Sequence, residues 1–144
     1  MPRLTTTERV LGGIFIVLLA LLLSVLECFY VNARAGTTPV PLVQILTPLV
    51  NAALPWAMSR LTGQPRVCPA PAVVWVIVAL VFASSGPAGD VVVPGNWQGQ
   101  VFLLLGMLGA ALGVFWVFVR DLGLGGFRRG PAAARRDAAR TAPR

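Results

Sequence analysis

Few side chains in this sequence could do chemistry, and they stand far apart. Glu27 lies inside an apolar run from Val10 to Val31, about one helical turn before its end. An ionised carboxylate in such a run is expensive unless it is paired or hydrated. It is either a proton or cation site, with Ser24 and Cys28 nearby on the same helix, or a carboxylate that reaches the headgroup region or pairs with Arg34. Gln44 and Asn51 form a second polar pair in an uncharged segment. They either line a polar path or hydrogen-bond across to neighbouring helices, where they would also cover carbonyls that proline leaves free. Asp90 is the only charged residue of a loop rich in glycine and proline. It has no second acid beside it and no nucleophile in a recognisable setting, so a turn-forming role suits it better than catalysis.

Metal and redox chemistry have little to work with. The chain has two cysteines, Cys28 and Cys68, and no histidine. No cluster has the spacing of a zinc, haem or iron–sulfur site, so no metal and no cofactor is expected. The commonest general base near neutral pH is missing as well. The chain is not expected to be an enzyme.

The elements that must position these residues are set by the solvent the chain selects. Of the 144 residues, 56% are hydrophobic and 12% charged, about half the charged share of an average soluble domain. The apolar residues lie in four blocks, which predicts an all-α polytopic integral membrane protein, a four-helix transmembrane bundle. The first block, 10–31, is long enough to cross a hydrocarbon core. Its layout also resembles a signal peptide with Ala33-Arg34-Ala35 at the cleavage site, but its length favours a retained helix. The second, 39–58, repeats proline every seven residues at Pro41, Pro48 and Pro55, which puts Gln44, Pro48, Asn51 and Pro55 on one stripe of a bent helix facing protein. The third, 67–85, opens on Pro69 and Pro71, where proline is tolerated. The fourth, 101–119, carries Gly106, Gly109, Ala110 and Gly113 on a helix-packing face, and Gly109 and Gly113 have GxxxG spacing.

Charge sets the orientation. The net charge of +7 comes from twelve arginines, no lysine and five acids, and seven of the arginines lie from Arg120 onward. Four spans place Arg3, Arg9, Arg60, Arg66 and those seven on one side, with only Arg34 opposite. That side is expected to be cytoplasmic, with residues 1–9 and the Arg-rich tail 120–144 both inside a plasma membrane. A three-span rival, with 39–58 re-entrant, also leaves the tail cytoplasmic. The tail is expected to be disordered, to hold the topology and to touch anionic lipid; nucleic acid is not expected. Cys28 and Cys68 then fall near opposite faces of the bilayer, too far apart for a disulfide.

The stretch Ser85-Gly86-Pro87-Ala88-Gly89-Asp90, followed by Gly99 and Phe102-Leu103-Leu104-Leu105-Gly106, resembles a pattern in small uncharacterised actinobacterial integral membrane proteins. In these a short Pro-Gly-Asp loop precedes a Gly-rich last helix. The resemblance covers about the last two helices and implies class and origin without a mechanism.

With many packing features and few reactive ones, the favoured reading is a non-catalytic accessory or assembly subunit. Its glycine and proline faces would dock on a membrane-protein partner or on a second copy. The alternative is a small oligomeric transporter or channel component with a polar path through Glu27, Gln44 and Asn51. The charge asymmetry makes a direct prediction: with a reporter fused after Arg144, green fluorescent protein should fluoresce and alkaline phosphatase should be inactive, as for a cytoplasmic tail.

Overall fold

The computed structural model describes residues 5–35, 38–39, 41–84, 92–93 and 95–122. Asp90 and most of the Arg-rich tail, from residue 123, lie outside the described residues. Within them the chain is helical, apart from a two-residue antiparallel pairing of β1 (Arg34–Ala35) with β2 (Thr38–Pro39). The helices are α1 (Thr6–Tyr30), α2 (Leu42–Thr62), α3 (Ala70–Ala83) and α4 (Trp97–Asp121). A 3₁₀ turn, Pro65–Val67, leads into α3, and together they make a stretch of 19 residues, Pro65–Ala83. Four helices are therefore long and apolar enough to cross a membrane, as a multi-pass protein requires.

Three helix ends extend past the apolar blocks, two through polar side-chain caps and one through a glycine cap. Thr5 and Glu8 form a capping box: the Glu8 carboxylate accepts from the Thr5 N–H at 2.6 Å, and the Thr5 hydroxyl accepts from the Glu8 N–H at 3.3 Å. This starts α1 at Thr6, four residues before the apolar run. Asn96 caps α4 by accepting from the Gly99 N–H at 3.1 Å, so α4 starts at Trp97 instead of 101. At the end of α2, Gly63 takes the left-handed conformation (φ 67°), and its N–H donates to the Ser59 carbonyl at 3.0 Å. α2 thereby includes Arg60 and runs unbroken through Pro48 and Pro55.

α2 is the hub. Its interface with α4 is the most extensive in the fold, and it also packs on α1 and α3, while α1 packs on α3. The α2–α4 interface is made by the glycine face. A Cβ at Gly109 would strike the backbone of Pro48, with the Pro48 Cα at 2.5 Å. One at Gly113 would meet the Ala52 carbonyl oxygen at 2.6 Å and its Cα at 2.8 Å. Ala110 is buried beside them. The proline stripe of α2 and the glycine face of α4 thus pack on each other within one chain. Small residues are needed at these positions because the α2 backbone itself sits at this distance.

The α1–α2 and α3–α4 connections meet at one end of the bundle, where the Asn32 amide donates to the Val92 carbonyl at 3.4 Å. Gly63 lies beside the Arg9 guanidinium at the opposite end. Cys28 and Cys68 are both buried free thiols.

Close backbone contact makes a quantitative prediction. Gly109→Leu should destabilise the isolated chain by at least about 1–3 kcal/mol, the usual cost of forcing volume into a packed site. Gly95→Ala, where an added Cβ meets nothing within 4 Å among the described residues, should be neutral. Thermal unfolding of the two variants in mild detergent, without any partner, checks this.

Candidate functional site

Glu27 points into the bundle. It is only 8% exposed, on the face of α1 that also buries Ser24 and Cys28. Its Oε2 accepts a hydrogen bond from the indole Nε1–H of Trp75 on α3 at 2.9 Å. A buried indole N–H needs an acceptor, and here it finds a carboxyl oxygen. The second carboxylate oxygen, Oε1, is buried and has no hydrogen-bond partner among the described residues. The Thr47 hydroxyl of α2 faces the same carboxyl group as a further donor. Ser24 contributes nothing to the carboxylate, because its hydroxyl donates to the Ala20 carbonyl of its own helix at 2.6 Å.

Trp75 can take this position because Gly106 has no side chain. A Cβ at Gly106 would collide with the six-membered ring of Trp75 and meet the Thr47 methyl at 3.0 Å. The indole is 1% exposed and packs at 5.6 Å, centroid to centroid, on Phe102 of α4. One glycine of α4 therefore sets the depth of a tryptophan on α3, which in turn holds a carboxylate on α1.

Gln44 and Asn51 are both buried on α2. The Gln44 amide donates to the Val31 carbonyl, at the end of α1, at 3.3 Å. The Asn51 amide donates to the Gly106 carbonyl of α4 at 3.2 Å. Their amide nitrogens thus bond across helices and do not cover the Gln44 and Asn51 carbonyls freed by Pro48 and Pro55. Gln44 Oε1 remains unpartnered and buried. Glu27, Thr47 and Trp75 form one polar locus, with Gln44 about one turn of α2 before Thr47 and Asn51 one turn beyond it. Ala110 and Gly113 lie farther along α4, on its buried face. Asp90 lies outside the described residues.

Sequence reasoning did not single out Thr47 or Trp75. Trp75 did carry a signal, as an aromatic N–H donor in the middle of an otherwise aliphatic block. Thr47 carried none, since a threonine in an apolar helix ordinarily bonds to its own preceding turn. Among the described residues no group of three or more His, Cys, Asp or Glu comes together.

No family model, no curated protein and no solved structure matches this chain.

The Glu27–Trp75 bond should be measurable as a coupling. In a double-mutant cycle of Glu27→Leu and Trp75→Phe, thermal or denaturant unfolding in detergent should give an interaction energy of about 1.5–3 kcal/mol, as for a hydrogen bond to a charged group. Additive effects would mean that the bond contributes nothing.

Proposed function

We propose that this chain is a non-catalytic, cation-handling component of a small membrane transporter, assembled from more than one copy, with Glu27 as its binding group. The observation that carries this reading is the state of the Glu27 carboxyl. It is buried in the apolar bundle and held by Trp75 through one oxygen, while the other oxygen has no hydrogen-bond partner among the described residues. Desolvating a carboxylate and leaving half of it unsatisfied costs several kcal/mol. A proton or cation that visits the site would offset that cost. Four helices per chain are few for a carrier, which is why assembly belongs to the proposal.

The membrane proposed is the plasma membrane of a bacterium of the kind the actinobacterial resemblance suggests. Both termini are cytoplasmic, as the arginine asymmetry favours. Arg60 and Arg120 then mark the cytoplasmic ends of α2 and α4, and the tail contacts anionic lipid.

A second reading, an accessory or assembly subunit, draws on a different surface. An apolar groove of about 590 Å³ runs between α2 and α4, lined by Leu49, Trp56, Leu112, Phe115 and Trp116. Its large exposed side chains could receive a helix of a partner protein.

Reconstitution into liposomes separates the two. The transport reading expects dissipation of an imposed proton or monovalent-cation gradient that Glu27→Gln reduces at least tenfold, about 1.4 kcal/mol of differential interaction. Equal flux for both proteins would refute it. A stoichiometric membrane partner retained on purification, with no flux, would support the subunit reading.

A further inference from the structure

On the lipid side of α2 and α4, two apolar stripes each end on an arginine. The α2 stripe is Leu49, Ala53, Trp56 and Arg60, and the α4 stripe is Leu112, Trp116 and Arg120. Residues three or four apart share a helix face, so each arginine closes one end of its stripe. Between the stripes runs the apolar groove of about 590 Å³. At the helix ends it adjoins a second cavity of about 270 Å³, lined by Ser59, Arg60, Arg120 and Asp121, and Trp56 belongs to both walls.

The groove is a trough because its floor is made of small residues. At Gly113 the α4 backbone lies directly on Ala52 of α2, while Leu49, Trp56, Leu112, Phe115 and Trp116 stand exposed around it. The cavity at its end is a charged mouth. Two guanidiniums against one carboxylate leave it with one positive charge in excess. The Arg60 guanidinium lies over the Trp56 ring, 5.5 Å from its centroid, which holds that charge where mouth and trough meet. The Ser59 hydroxyl donates to the Trp56 carbonyl at 2.8 Å, so the arginines supply the donors that the mouth offers.

An occupant has to suit both parts. A helix of a partner protein would fill the trough and leave the two arginines without a counter-charge. Free phosphate would answer the arginines and leave the trough empty. A zwitterionic lipid is neutral overall and leaves the excess charge in place. A lipid with a monoanionic phosphodiester head matches the mouth charge for charge and brings an acyl chain for the trough. Guanidinium groups suit phosphate oxygens, and basic pockets between membrane helices are a recurring setting for acidic headgroups.

We propose that this face of α2 and α4 binds one acidic glycerophospholipid, with its phosphate between Arg60 and Arg120 and an acyl chain in the trough beside Trp56 and Trp116. The site is stoichiometric, unlike a diffuse contact of the tail with anionic lipid, and it is independent of the reading of Glu27, which lies on α1.

Native mass spectrometry of the full chain, stripped of lipid in maltoside and titrated with defined phospholipids, tests this. One phosphatidylglycerol should be retained per chain, at least tenfold more tightly than phosphatidylcholine or phosphatidylethanolamine. Arg60→Gln combined with Arg120→Gln should weaken its binding at least tenfold. Ala53→Trp, which fills the trough at an exposed position and keeps both arginines, should do the same. Arg66→Gln removes an exposed arginine next to the α2–α3 turn and outside the mouth, and should leave binding unchanged. A loss on Arg66→Gln equal to that of the arginine pair would reduce the effect to general surface charge and overturn the proposal. Equal retention of phosphatidylethanolamine would also overturn it, by assigning the mouth to an amine held by Asp121. Displacement by equimolar glycerol 3-phosphate would leave only a free-phosphate site, and binding indifferent to Ala53→Trp would remove the acyl chain from the trough; either result overturns the proposal.

Discussion

The fold turns on how closely α4 can approach α2. In a bilayer no hydrophobic effect draws helices together, because lipid is as apolar as leucine, so association depends on dispersion contacts and on hydrogen bonds across the interface. Gly109 and Gly113 let the α4 backbone lie directly on that of Pro48 and Ala52. Asn51 adds an interhelical bond to the Gly106 carbonyl within the same interface. Because α2 also touches α1 and α3, its position against α4 governs where every other helix can sit. The two prolines do not break it, and they fall where neighbouring helices cover the helix surface.

The polar locus depends on that packing. Gly106 belongs to the same small-residue face, and its missing Cβ is the space into which the Trp75 ring fits. The indole fixes one oxygen of Glu27 and so decides which oxygen stays free. A carboxyl group inside a membrane protein is expensive when ionised, and the cost is only partly offset by one hydrogen bond. A chain needing nothing but a stable bundle would do better with leucine at this position. The pairing of an expensive side chain with an incomplete set of partners is what makes Glu27 the functional candidate, ahead of Gln44 and Asn51, whose amide nitrogens are engaged in holding helices together.

Length, composition and block pattern were enough to specify four membrane-spanning helices, because a bilayer demands uncharged runs of about 20 residues and allows few other solutions. They were also enough to mark Glu27 as costly and the Gly106–Gly113 face as a packing surface. Helix ends were less legible, since apolar blocks stop where hydrophobicity stops. The Thr5–Glu8 box and the Asn96 cap continue the backbone into polar sequence. The partner of each face was not legible at all. Spacing along one helix shows that a face is small or polar and is silent about which other helix will meet it.

The sequence by itself therefore determined the solvent, the number of spans and which residues are out of place in it, all properties local to one helix. Only the tertiary structure decided that the glycine face meets the proline stripe of the same chain, that Gln44 and Asn51 bond to α1 and α4, and that Trp75 reaches Glu27 from 48 positions away. The physical reason is that interhelical contacts pair residues whose separation along the chain carries no periodic signal, and the pairing is chosen by the fit of whole helix surfaces.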